Sequence, residues 1–282
     1  MWKRGCYPSA TGVTCDPNFE SMGQTWSEPK VARVRGHSNP VLIFGGGFDN
    51  VAEDPETVGT TTMGNVIFVL DAKTGATVKT FKDDRFTKSF AADITLVDRD
   101  RDENRYIDRL YATDLGANVW RLDIDAASTA EWTVNKLASL STALNSRKIF
   151  YPADVVPTKT YDAVMVGTGD REHPLITSAS ALVENRFYML KDEDVSNTVA
   201  LPYSTIVDRD DTSPSDLFDA TTSPYDGTKR GWFVKLRPGE KVVNAPTTFA
   251  GYVNFGTNQP TENAPGQCSN LGIARGYKAD FV

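Results

Sequence analysis

The sequence predicts an all-β fold, a modified β-propeller forming a partial ring of about four to five blades, and three observations predict it. Strand-like segments recur in one order along the 282 residues, glycine, aspartate, threonine and proline punctuate them, and helical periodicity is nearly absent. An apolar content of 40% with 10% aromatics suffices for a sizeable core, and all-β chains of this length often form a single unit, so one domain is possible.

The repeating unit is a buried-looking strand ending in Gly or Asp, a loop, and an aromatic-rich strand ending near Asp. VLIFGGG (41–47) precedes NVIFVLD (65–71), and RLYATD (109–114) precedes NVWRLD (118–123). VMVGTGD (164–170) precedes NRFYML (185–190), and YVNFGTN (252–258) precedes IARGYKAD (273–280). Each pair has an upstream strand, PKVARV (29–34), AADITLV (91–97), PADVVPT (152–158) and NAPTTF (244–249) in turn. Three or four strands per unit is the composition of a propeller blade. In LDAKTGATVKTF (70–81), Thr-Gly marks a hairpin between the third and outer strands, which resembles the quinoprotein-type repeat.

STAEWTVNKLASLSTALN (128–145) is the one stretch expected to hold a turn or two of helix, and DRDDTSPSDLFDATTSPY (208–225) reads as a surface loop. The expected organisation is an N-terminal extension over 1–21 and a propeller segment over 22–282 carrying a calcium loop at 98–108. About four units make an arc, and its unpaired blade edge implies a missing upstream segment or a partner.

Lys+Arg 30 against Asp+Glu 37 gives a net charge of -7, which leaves no electrostatic footprint for nucleic acid or an anionic membrane and points to cations as small partners. No apolar run reaches the roughly eighteen residues of a membrane helix, and MWKRGCY (1–7) leads into no hydrophobic secretory segment. Cys6 and Cys15 flank a turn-rich segment that a disulfide would close, and in an oxidising compartment they are expected within bonding distance; Cys268 stands alone.

One segment carries chemistry. Calcium takes six to eight oxygens, and a short loop supplies them when alternate residues point inward. DRDRDENRYID (98–108) offers two frames. Starting at Asp98, the ninth place is Tyr106, where a carboxylate is wanted. Starting at Asp100, the ligands are Asp100, Asp102, Asn104, the Tyr106 carbonyl and Asp108. We take the second frame, in which losing Asp108 abolishes binding and losing Asp98 leaves it mostly intact. It matches the first half of an EF-hand loop, but the twelfth place is Tyr111 and no flanking helices are readable, so an EF-hand is rejected. Arg105 occupies the sixth place, usually glycine, and must accept an unusual backbone geometry. The competing reading is a solvated acidic turn.

Two further acidic runs, Asp208, Asp210, Thr212 and Asp216, and Asp192, Asp194 and Ser196, lack a full donor set. For catalysis only His37 and His173 are available; the cluster around His173 in GDREHP (169–174) reads as a hydrogen-bonded turn in preference to an acid/base site. Zinc spacing, a nucleophile elbow, a phosphate loop and a dinucleotide fingerprint are all absent from the sequence.

MGQTWSEP (22–29), IFGGGFDN (43–50), LDAKTG (70–75), the acidic loop with DRLYATDLGANVWRLD (108–123), GTGDREHPL (167–175) before NRFYML, and GWFVKLRPGEKVV (231–243) follow in an order that resembles the PilY/PilC proteins of bacterial type IV pili. The resemblance implies a modified propeller in the C-terminal half of a large exported protein, sited at the periplasm, outer membrane or pilus tip. It implies a non-enzymatic role in pilus assembly, extension and retraction control, twitching motility and surface attachment, with pilins or minor pilins and a host or abiotic surface as partners. The family's calcium ligands fall on Asp100, Asp102, Asn104, Tyr106 and Asp108. The blades expected before MGQTW are missing, the chain stops inside a blade, and no Arg-Gly-Asp tripeptide occurs. The rival classes are a quinoprotein dehydrogenase, whose propeller shares the LDxxTG turn, and a generic extracellular scaffold.

Overall fold

Short strands rich in β-branched and aromatic residues, separated by Asp and Gly turns, form antiparallel ladders one after another along the chain. The computed structural model describes residues 1–10, 12–54, 61–100, 104–195, 204–210, 214–262 and 272–281. The chain divides into two compact units, the first built mainly from Met1–Leu115 and Trp120–Asn135, the second from Gly116–Val119, Lys136–Ser196 and Leu201–Val282.

In the first unit, β1 (Cys6–Ser9) and β2 (Gly12–Cys15) form a hairpin in which Cys6 and Cys15 stand opposite each other. Their Cα atoms are 4.0 Å apart and the disulfide is formed, as the oxidising-compartment argument expected. Four strands then make the first blade-like sheet in chain order: β3 (Lys30–Ala32), β4 (Val41–Gly45), β5 (Ile67–Asp71) and β6 (Thr77–Phe81). Every residue of β5 is buried: Ile67 and Val69 enter the unit's main core, while Phe68 and Leu70 pack on Phe19 and Phe44 toward the N-terminal hairpin. This two-sided burial explains a continuous apolar run in place of strict alternation.

A second sheet holds β7 (Thr95–Val97), β8 (Arg109–Thr113), β9 (Asn118–Asp123) and β10 (Thr133–Ser139) in that order. The stretch 128–145, expected to hold a turn or two of helix, contains a single 3-10 turn, Thr129–Glu131, and then the strand β10; it is not the one such place, since Ala179–Leu182 forms a second 3-10 turn. Trp132 is buried against Phe81, with ring centroids 6.2 Å apart, and Leu137 and Ala138 are fully buried. The β-branched Thr133 and Val134 satisfy their backbone better in a ladder than in a short solvated helix, so tertiary pairing overrides a weak helical preference.

The second unit contains β11 (Asp154–Pro157), β12 (Asp162–Gly167) and β13 (Arg186–Asp192). Next come β14 (Ile206–Val207), which runs parallel to β10, and β15 (Phe218–Asp219) beside β16 (Gly231–Lys235), so that a five-stranded sheet runs β11-β12-β13-β16-β15. The last sheet is made by β17 (Lys241–Val242), β18 (Thr247–Phe249), β19 (Tyr252–Gln259) and β20 (Ile273–Asp280). Phe187 of β13 stacks on Phe255 of β19 with ring centroids 3.8 Å apart, and Met165, Met189 and Trp232 complete that core.

The strands read from the sequence all form, in the expected order. The sequence did not single out β1, β2, β10, β14, β15, β16 and β17 as strands; of these, β14, β15 and β17 are only two residues long and follow from pairing alone. No helix of the described residues is long and apolar enough to cross a membrane.

The LDAKTG hairpin shows what ties the first sheet together. Asp71 Oδ1 accepts from the backbone N–H groups of Lys73 and Thr74, both at 2.8 Å, and its Oδ2 meets Asn39 Nδ2 and His37 Nε2, each at 2.8 Å. These partners hold the carboxyl well below the usual range, the bonds from Asn39 and His37 contributing most. Gly75 has φ 72°, and the Trp2 indole lies on it, donating through Nε1 to the Ala72 carbonyl at 3.1 Å. A Cβ at Gly75 would sit 2.5 Å from Trp2 Cδ2. Gly75→Ala is therefore expected to cost about 1–3 kcal/mol in urea unfolding, through a strained left-handed residue and displacement of Trp2. An unchanged midpoint would show that Trp2 does not hold this turn.

Candidate metal centre

The acidic loop joins β7 to β8, so the antiparallel ladder fixes both of its ends. Val97 pairs with Arg109, and Asp108 N–H donates to the Val97 carbonyl at 3.2 Å. The Asp108 carboxylate folds back over the loop: Oδ1 and Oδ2 accept from Arg99 N–H at 3.0 and 3.1 Å, and Oδ2 accepts from Asp100 N–H at 3.1 Å. A ladder of only three pairs thus gains a side-chain clasp at its open end.

The fold brings Asp98, Asp100 and Asp108 together, with one carboxylate oxygen of each within 4.8 Å of the others. Asp108 is buried, Asp98 half-buried and Asp100 exposed. Burial pushes the Asp108 carboxyl up; the two backbone N–H groups and Arg109 oppose this, and the Asp100 charge adds to it. Asn104 Oδ1 accepts from Tyr106 N–H at 2.6 Å, closing a tight turn within the loop. The Arg33 guanidinium lies 5.3 Å from the centre of the Tyr106 ring, and Ile107 N–H donates to the Arg33 carbonyl at 2.8 Å. Asp102 lies outside the described residues, as does Cys268.

Two features speak to the reading of this loop. Arg105 adopts φ 59°, the left-handed geometry that its place in the pattern required. Asp98, assigned no role in the frame beginning at Asp100, stands with Asp100 and Asp108. The alternation in DRDRD carried that signal, because both frames draw on one row of acids, and only the return of Asp108 shows that their two ends meet. The donor set is oxygen throughout, a chemistry that fits a hard divalent cation such as calcium, and the like charges crowded here favour one.

The two other acidic runs are otherwise engaged. In the second unit, Arg147 Nη1 meets Asp208 Oδ2 at 3.2 Å and Nη2 meets Asp210 Oδ1 at 2.9 Å. Arg186 Nη1 binds both Asp208 oxygens at 2.8 Å, and Tyr188 Oη donates to Asp208 at 2.7 Å. Asp216 accepts from Val207 N–H at 2.8 Å. Thr212 and Ser196 lie outside the described residues. Of the other run, Asp192 is buried at the end of β13, opposite Asp162, and accepts from Asp194 N–H at 3.3 Å.

The GDREHP segment forms the turn expected of it. Asp170 Oδ2 meets Lys148 Nζ at 2.8 Å and His173 Nδ1 at 2.9 Å, while Oδ1 accepts from Glu172 N–H at 3.1 Å. Burial would raise the Asp170 carboxyl, but Lys148 and His173 hold it down. Lys241 Nζ donates to the His173 carbonyl and to Ser180 Oγ. The group is an anchored strand end.

With the sheets and the loop in view, the protein belongs to the β-propeller class of folds. The particular likeness is to the C-terminal domain of Pseudomonas aeruginosa PilY1: the TM-score is 0.64 at 17% identity, over 95% of this chain and 60% of that one. That likeness agrees in fold with the family resemblance read from the sequence, and this chain spans 60% of the solved PilY1 domain's length. Two weaker likenesses carry no argument, given their scores. One is to the quinohemoprotein alcohol dehydrogenase ADHIIG of Pseudomonas putida HK5, with TM-score 0.41 at 13% identity over 84% of this chain and 29% of that one. The other is to the α-L-arabinofuranosidase Arb93A of Fusarium graminearum, with TM-score 0.39 at 6% identity over 92% and 69%. No protein-family model and no curated protein sequence matches the chain.

Two measurements check this geometry. Arg105→Gly relieves the left-handed strain and is expected to hold or raise stability by up to about 1 kcal/mol, whereas Arg105→Val should lower it by at least that much. Equal melting temperatures would contradict the backbone conformation. In the second unit, burial would raise Asp210, but bonds from Thr142, Asn145 and Arg147 outweigh it and bring the carboxyl from 3.8 to about 2. A depressed carboxyl contributes stability above its unfolded value that is lost as pH falls through its folded value. Unfolding free energy should therefore drop on the order of 2 kcal/mol between about pH 4 and pH 2, and Asp210→Asn should flatten that segment of the curve.

Proposed function

We propose that this chain is a non-enzymatic, calcium-binding propeller module of an exported type IV pilus biogenesis factor. The observation that carries the proposal is the three-carboxylate loop between β7 and β8, in a fold like that of the PilY1 C-terminal domain. The Cys6–Cys15 disulfide supports an oxidising, exported location, at the periplasm, outer membrane or pilus tip. The Lys148–Asp170 ion pair and the Asp170–His173 hydrogen bond give the turn around His173 a structural task at a strand end.

Asp100, Asp102, Asn104, the Tyr106 carbonyl and Asp108 would hold the ion, and Asp98 joins them from the start of the loop. Bound calcium supplies two positive charges and an oxygen-seeking coordination shell. The chain's own groups do the rest. Asp108 links the loop to the strand end through Arg99 and Asp100 N–H, so a change in the repulsion among the three carboxylates is transmitted to the short β7–β8 ladder. Such a loop, loosened or tightened by the ion, suits control of a surface that engages minor pilins during extension and retraction, with motility and attachment as consequences.

Calorimetric titration with calcium tests the ion. Binding is expected for the unmutated protein, with a gain of about 2.7 kcal/mol and a melting temperature raised a few degrees when calcium is at a hundredfold its dissociation constant. Asp108→Ala should abolish binding and Asp98→Ala should weaken it about tenfold; full affinity in Asp98→Ala would restore the frame beginning at Asp100 alone. No heat from the unmutated protein would leave the solvated-turn reading. Retention of a purified minor-pilin complex in calcium, and its release in EGTA, tests the assembly role separately.

A further inference from the structure

A bowl of about 470 Å³ opens in the second unit, bounded by the segment after β15, by β16 and by the end of β20. Its lining combines the apolar Trp232, which is 2% exposed, half-buried Val234 and Tyr225, and Pro224 with the exposed hydroxyls of Thr222 and Ser223 and the exposed Asp280. Tyr225 is held in place. Tyr225 Oη donates to the Lys229 carbonyl, the Phe218 ring meets Tyr225 edge-on at 5.8 Å, and Lys191 Nζ lies 4.9 Å from the Tyr225 ring centre. The loop is fixed as well: Thr221 N–H donates to Asp219 Oδ1 at 3.0 Å, and Thr221 Oγ1 accepts from Lys235 N–H at 2.9 Å.

We propose that this bowl binds a neutral pyranose sugar residue. A pyranose presents an apolar C–H face and a girdle of hydroxyls, and the bowl's lining pairs aromatic and aliphatic groups with hydroxyls and a carboxylate. The rigidly held Tyr225 lowers the ordering cost of binding. None of the lining residues is Lys, Arg or His, and the one charged residue among them is the acidic Asp280, a lining that favours a neutral sugar over a phosphorylated, sulfated or carboxylated one. The volume suits one or two sugar rings. The site shares no residue with the acidic loop and stands independently of the calcium reading.

The test is saturation-transfer NMR on the full chain with galactose, glucose, mannose and N-acetylglucosamine, and N-acetylneuraminic acid as the acidic comparison. Transfer to at least one neutral sugar is expected, with a dissociation constant in the millimolar range, unchanged by EGTA. Tyr225→Ala should weaken binding at least tenfold and Tyr225→Phe should largely retain it. If Tyr225→Ala unfolds, the doubly substituted Thr222→Ala, Ser223→Ala protein, altered only at exposed positions, should still lose at least fivefold. No transfer from any neutral sugar, binding of the acidic sugar alone, loss of binding in EGTA, or equal binding by the folded variants would each overturn the proposal.

Discussion

The constraint on which this structure depends is the satisfaction of backbone N–H groups at its turns. A chain of short strands reverses direction every few residues, and the donors in each reversal lie beyond the reach of the ladder. Aspartate carboxylates take them. Asp49 accepts from four backbone N–H groups, those of Val51, Ala52, Thr62 and Met63, and Asp71, Asp108 and Asp170 each cap the turn beside a strand end. Asp219 and Asp226 do the same on the surface. Part of the chain's acidic content is therefore structural, and the candidate metal loop is one of these clasps with additional carboxylates gathered around it.

Charge burial follows a second rule. Arg147, Arg186 and Asp208 are almost wholly removed from water, which is costly unless each polar atom finds a partner. Asp208 is met by Arg147, Arg186 and Tyr188 together, and Arg109 and Arg121 converge in the same way on Asp123. In these networks buried cations neutralise the acids. In the group formed by Asp98, Asp100 and Asp108, one carboxylate oxygen of each lies within 4.8 Å of the others, the closeness that an oxygen-seeking cation requires.

The two units place their chemistry differently. In the first, oxygen donors gather on a loop whose ends a three-pair ladder fixes, a geometry suited to an ion that stiffens the loop. The second holds the buried network of Arg147, Arg186 and Asp208, as the first holds that of Arg109, Arg121 and Asp123, and it also carries the open bowl, lined by aromatic, aliphatic and hydroxyl groups with Asp280. Neither arrangement requires a reactive side chain, and the histidine that most resembled one is bonded to Asp170 in a strand-end turn.

Much of this was legible in the sequence because it is local. Alternation and apolar runs marked β4, β5, β8, β9, β12, β13, β19 and β20, the Thr-Gly step marked the β5–β6 hairpin, and the turn-rich segment between Cys6 and Cys15, in an oxidising compartment, marked their bond. The alternate acids of 98–108 and the demand on Arg105 were readable for the same reason, since a loop's donors and its sharpest turn are set within a dozen residues. Only tertiary structure decided that 133–139 is a strand, because Trp132 packs on Phe81 some fifty residues away in sequence. It also decided that Asp98 and Asp108 meet, and that Asp208 and Asp210 are neutralised by Arg147 and Arg186. Those outcomes depend on which side chains the ladders bring within a few ångströms, and electrostatic partnership is a property of that distance and of burial, neither of which is written in the spacing of residues along the chain.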